Sequence, residues 1–241
     1  MKSRGTGYVC HSLATGDDVI QSHSKPLEGM MSESLCRLCN REAALQHSHI
    51  FPAFLFRWMR ETSGGGYLRH GMTPNQRVQD GLKRYWLCEE CEGMFSRSET
   101  AFANKVLYPY TKDSSSRIIY GEWLLRFCVS ISWRVLHFLK EETSLNNLGT
   151  DVVARISKAE ATWKEFLLSQ RPHPGLFRQH LLPCDAFKST TACQALSPNF
   201  NRYIMRTTDM DVCEGQTSSF VYSKLGPFII LGFIRQDCLN H

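Results

Sequence analysis

No run of about 18 or more consecutive apolar residues occurs in this chain, so no segment has the length to cross a bilayer as a helix. The most apolar stretch, WLLRFCVSISWRVLHFL from Trp123, is interrupted by Arg126 and Arg134, and a membrane is not expected as a partner. The N-terminal residues contain no apolar core of signal-peptide length, which argues against export by that route and for a cytoplasmic protein. Internal repeats are absent. A strong excess of one charge is missing too: a formal +5 and a pI near 8.7 are compatible with a polyanionic partner without requiring one.

What is present is an ordinary globular composition. With 42% hydrophobic and 21% charged residues, 241 residues can bury a sizeable core in one or two domains. Ten cysteines in a reducing compartment favour metal ligands and buried thiols over disulfides. Residues 1–30 lack periodicity and read as a flexible leader outside the fold; the paired Met30 and Met31 leave a later translational start as an alternative. Residues 31–112 hold a cysteine-rich module. Residues 113–241 are expected to form an α+β domain or extension, helical first and β-hairpin last.

Within the module, SHIFPAFLFRWMRE starts extended and turns helical after Pro52. Residues 62–81 carry turn formers and read as a long loop. LKRYWLC is expected as a strand, and EGMFSRSETAFANKVLYPY as a helix ending before Pro109. Apolar spacing predicts two further helices, in YGEWLLRFCVSISWRVLHFLKEE and DVVARISKAEATWKEFLLSQ. Strand-like stretches follow in RYIMRTT, SSFVYSKL and FIILGFI, the last two joined by a turn at Gly226-Pro227.

Two Cys-x-x-C pairs, Cys36/Cys39 and Cys88/Cys91, are the strongest chemical pattern. Each places two thiolates on one tight turn, and together they supply the four ligands of a tetrahedral structural zinc ion. Buried thiols without a metal are the alternative. The 48 intervening residues exceed ordinary ribbon spacing, so they must fold as an insertion, and they contain the histidines. The other cysteines, Cys10, Cys128, Cys184, Cys193, Cys213 and Cys238, have no short spacing and are expected as free thiols.

A knuckle, a strand carrying Ser48-His49-Ile50-Phe51-Pro52, a long loop, and a second knuckle opening a helix resemble the HNH endonuclease family of the ββα-metal fold. The resemblance covers about residues 35–107. It implies a zinc-stapled ββα module and hydrolysis of phosphodiester bonds in nucleic acid, with DNA favoured over RNA. By the family pattern Asp-His-Ile-x-Pro, His49 matches the general base. Magnesium or manganese would be the catalytic ion, and Glu92, directly after the second knuckle, would be a site residue suited to such an ion. A neutral imidazole can take the proton of an attacking water while a cation stabilises charge on the phosphate.

Three positions depart from that pattern. Ser48 stands where the family has Asp or His, Lys83 where it often has Asn, and Glu92 where it usually has His or Asn. Residues two apart on a strand share a face, so His47 could join His49; Glu92 and Glu99 share a helix face, and Asn75 or Asp80 could join from the loop. Simpler roles stand beside these: a partly buried histidine for His49, a helix-dipole partner for Glu92, an ion pair with Arg97 or Lys105 for Glu99, a surface position for His47. Arg57, Arg60, Arg69, Arg77, Lys83 and Arg84 either contact phosphates or form a solvated face. No recognition helix or stacking motif is legible. The alternative to a nuclease is a catalytically inactive zinc-stapled module that binds nucleic acid or protein; a third reading confines function to the C-terminal half.

Overall fold

The computed structural model describes residues 9–10, 34–71, 73–115, 117–142, 149–185 and 199–236. Most of the leader, and Cys193 and Cys238, lie outside these. The protein is a mixed α+β structure. Strand β1, Val9–Cys10, pairs with a C-terminal strand, so a piece of the stretch expected outside the fold joins a sheet edge.

The cysteine-rich part begins with β2, Ser34–Leu35, paired with β3, Glu42–Ala43, around the first knuckle. The turn between them closes through hydrogen bonds from Asn40 N to Cys36 O (2.8 Å) and Cys36 N to Arg41 O (2.9 Å), with Asn40 at a positive φ of 59°. Asn tolerates that left-handed conformation better than most residues. β4, Leu45–His49, leads to Pro52, which ends the extended segment and caps α1, Ala53–Glu61. α1 buries Phe54, Leu55, Phe56, Trp58 and Met59. The long loop contains a small antiparallel pair, β5 (Leu68–Arg69) and β6 (Arg77–Val78). β7, Lys83–Cys88, then returns antiparallel to β4, and α2, Glu89–Phe102, starts directly from Cys88.

The helical run that α2 opens does not stop before Pro109 as its sequence led one to expect. A π-helical turn over Ala103–Leu107 leads into α3, Tyr108–Lys112, in which Pro109 lies in the first turn, where a missing N–H costs nothing. The two long helices follow as their periodicity predicts: α4, Glu122–Glu141, and α5, Thr150–Leu167. α4 is the central element. It is buried from Phe127 to Leu136 without a break, because α2, α5 and the C-terminal sheet all pack on it.

That sheet has the order β1-β9-β10-β11-β8, with β8 at Gln179–Pro183, β9 at Thr208–Glu214, β10 at Ser218–Leu225 and β11 at Phe228–Gln236, all neighbours antiparallel. Gly226, at φ +61°, makes the tight turn between β10 and β11. RYIMRTT is not a strand: Phe200–Ile204 is a short helix, α6, and β9 begins only at Thr208. α4 lies so close to β11 that a Cβ on Gly232 would stand 2.4 Å from Ser132 Oγ. The buried apolar residues form one cluster running from Cys36 to Ile234. No helix among the described residues is long and apolar enough to cross a membrane.

Candidate metal centre and adjoining polar site

The pairing of β4 with β7 carries the second knuckle to the first. Leu45 stands opposite Cys88, so the end of β7 lies beside the start of β4 and the first turn of α2 presents Cys91 to the same point. The Sγ atoms of Cys36, Cys39, Cys88 and Cys91 all lie within 4.8 Å of one another. Zn–S bonds of about 2.3 Å in a tetrahedron require S–S edges of about 3.8 Å. The Cys39–Cys88 separation is 3.8 Å, and four thiols of this size and spacing fit a metal such as zinc.

The surroundings favour thiolates at one edge of the cluster. Burial pushes the Cys39 thiol up, but hydrogen bonds from Arg41 and from Cys36 and Cys91 outweigh it and bring it to about 6. Burial pushes Cys88 and Cys91 up, the latter with added repulsion from the neighbouring thiols. The Cys88 backbone N–H donates to Cys36 Sγ at 3.4 Å. Arg41 also pairs with Glu90, tying the first knuckle to the first turn of α2.

The two ends of the Ser48-His49 dipeptide face opposite ways, as successive strand residues must. Ser48, buried, donates its hydroxyl to Glu92 Oε2 at 2.6 Å on the α2 side of the ribbon. His49 faces the other way, with Nε2 2.9 Å from Asp80 Oδ1. Glu92 and His49 therefore each have a different partner. The loop does fold back to supply Asp80, which also pairs with Lys83 at 2.7 Å and accepts the Gly81 backbone N–H at 2.9 Å. Partial burial raises the Asp80 carboxyl, but Lys83 and His49 outweigh it and hold it at about 2, so it is a carboxylate at neutral pH.

Glu99 does not turn toward Glu92. It pairs at 2.8 Å with Arg134 of α4, a guanidinium buried over the Phe95 ring. Arg134 also donates to His49 O at 3.0 Å and Ser130 O at 3.3 Å. The backbone at His49 is thus fixed by a side chain 85 positions further along the chain. His47 stacks on Tyr85 rather than meeting His49's partners, and Arg69 and Arg77 lie over the Tyr67 ring at 5.2 and 4.4 Å. Arg84 is turned to Glu142 at 2.5 Å. Asn75 is exposed in the loop.

Among the described residues, the four cysteines form the one group of three or more His, Cys, Asp or Glu ligands close enough to share an ion. A second divalent cation would rest on Glu92 as its single carboxylate and on the Ser48 oxygen, a donor set that suits magnesium, which takes few protein ligands and keeps several waters. Two surface clefts, one between the first knuckle and the α4–α5 pair and one beside Lys224, are not lined by His49, Asp80 or Glu92. Sequence reasoning missed Arg134, because nothing local marks a partner so distant, and gave Asp80 only as one of two loop residues, with Asn75. No protein-family model, no curated protein and no solved structure matches the chain.

Proposed function

We propose that residues 35–107 form a divergent HNH-type ββα-metal centre and that the protein is a metal-dependent endonuclease hydrolysing phosphodiester bonds of nucleic acid. The observation that carries this reading is the His49–Asp80 pair at the end of β4, next to Ser48 hydrogen-bonded to Glu92 of the helix that opens from the second knuckle. Those are the positions in which the family resemblance expects a proton acceptor and a metal-binding pair.

With Nε2–H donated to Asp80, the lone pair of His49 resides on Nδ1, which takes the proton from the attacking water. Asp80, ionised, holds the ring in that tautomer and stabilises the imidazolium that forms, as carboxylate partners of catalytic histidines do. Lys83 offsets the Asp80 charge where an anionic phosphate must approach. Glu92 and Ser48 would hold a magnesium or manganese ion on the α2 side of the ribbon, and for that ion to supply charge stabilisation at the phosphate the substrate must reach it and His49 together. Cys36, Cys39, Cys88 and Cys91 would hold zinc with all four positions closed, so they clamp the ribbon to α2 and leave the chemistry to others.

A catalytically silent binding module is the second reading, and the Ser48–Glu92 hydrogen bond favours it by occupying the carboxylate a second ion would need. Incubating the full chain with plasmid and with circular single strands, in magnesium, manganese or neither, separates the two. The expected result is ion-dependent cutting that Glu92→Ala abolishes while zinc content is unchanged; no cutting with any ion would leave the binding module.

A further inference from the structure

The exposed face of the β4–β7 ribbon carries an arrangement that the nuclease chemistry does not use. His47 and Tyr85 stand directly opposite each other across the two strands, and their rings stack with centroids 4.7 Å apart and planes 12° from parallel. Tyr85 is 53% exposed, and His47 is exposed beside it. Ser48, Trp86 and Leu87 of the same ribbon are buried, so the core is complete without this pair. One step further along the same face, His49 stands opposite Lys83. Two residues of strand span about 6.6 Å, so the aromatic pair lies one such step from His49, Asp80 and Lys83.

We propose that the His47–Tyr85 pair is a base-stacking platform and that the substrate of the adjoining site is single-stranded or unpaired nucleic acid. This rests on the nucleic-acid reading above and narrows it. A flat π-face open to solvent binds any base by stacking, but a base inside a duplex has both faces covered by its neighbours. A base laid on Tyr85 directs the adjoining backbone phosphate along the ribbon toward Lys83 and His49. Lys83, opposite His49, supplies a cation next to the pair, and the segment 57–84 as a whole contains six basic and two acidic side chains.

The test measures binding of a fluorescein-labelled mixed-sequence oligodeoxynucleotide, alone and annealed to its complement, by fluorescence anisotropy. The zinc-loaded full chain is used without magnesium or manganese, so that no strand is cut. Tyr85→Ala and Tyr85→Leu are expected to weaken single-strand binding roughly tenfold or more, Tyr85→Phe to stay within about twofold of wild type, and duplex binding to be weaker throughout and insensitive to all three. Tyr85→Leu keeps apolar bulk without a π-face, so a fold defect from truncation is distinguished from loss of stacking. Wild-type affinity in Tyr85→Leu, a preference for duplex, or no binding of either form would overturn the platform. Cleavage assayed in parallel separates the two claims: cutting without dependence on Tyr85 refutes the platform alone, and Tyr85-dependent binding without cutting in any ion refutes the endonuclease alone.

Discussion

At the scale of single residues, the Arg134 guanidinium carries more of the architecture around His49 than any local feature. It is 2% exposed, and it meets partners from three places in the chain: Glu99 on α2 as an ion pair, and His49 O at the end of β4 and Ser130 O on its own helix as hydrogen-bond acceptors. A buried charge is tolerated when it is paired and hydrogen-bonded, and removing its partner leaves it uncompensated. Glu99→Ala is therefore expected to lower stability by about 3 to 5 kcal/mol in urea unfolding. A loss below about 1 kcal/mol would mean that the pair behaves as a solvated surface contact. Glu99 reads from the sequence as a helix-surface acid, since its partner lies in a different element and neither residue has a motif around it.

Among the elements, α4 and α5 meet the first knuckle through a second polar cluster. His137 of α4 has Nδ1 2.8 Å from Glu160 of α5 and Nε2 3.4 Å from Glu141 on its own helix, and its ring stacks on Trp133. Lys140 pairs with Glu160, Arg37 of the knuckle with Glu141 at 3.5 Å, and Trp86 Nε1 donates to Glu141 at 2.9 Å. Burial opposes charge on His137, yet Glu141 and Glu160 outweigh it and raise its pKa above the ordinary 6.5. Burial likewise opposes charge on both carboxylates, yet His137 and their other partners outweigh it and hold them below the ordinary 4.5. A raised histidine stabilises the fold fully below 6.5 and loses that contribution as pH rises through its folded value; depressed carboxylates stabilise above 4.5 and lose it as pH falls. The stabilisation from this cluster is thus greatest between about pH 4.5 and 6.5. Melting temperatures of wild type and His137→Gln should differ most in that window and converge as the pH rises above it; a constant difference from pH 5 to 9 would refute the linkage.

The same elements explain what the sequence made legible. The two long helices and the hairpin at Gly226-Pro227 carry strong local patterns, apolar spacing in one case and a turn former with positive φ in the other. The knuckle cysteines are equally local. β8, QHLLP, was not legible because it is a short edge strand with weak alternation, paired on one side only. The turn at Pro109 misled because a proline that ends one helix can equally begin the next. Asp80 and Tyr85 acquire their places from the β4–β7 register, which spacing along the chain does not reveal.

For the molecule as a whole, the C-terminal half supports the centre from outside the segment that resembles a nuclease module. The core is one contiguous cluster, α4 packs on α2, and Arg134 holds the backbone at His49. The four-cysteine cluster fixes the other end of the same ribbon, so the two ends of β4 are held by different means: a metal-ready cluster near Leu45 and a buried guanidinium at His49. The proposed platform lies between them, and the proposed base stands at the second end. The most direct test of this account is the single-turnover cleavage rate of the full chain on a single-stranded substrate with magnesium or manganese, wild type against His49→Ala at equal zinc content. The expected result is cleavage by wild type and a loss on the order of 10²- to 10⁴-fold in the variant; equal rates in the two proteins, or no cleavage by wild type, would contradict it.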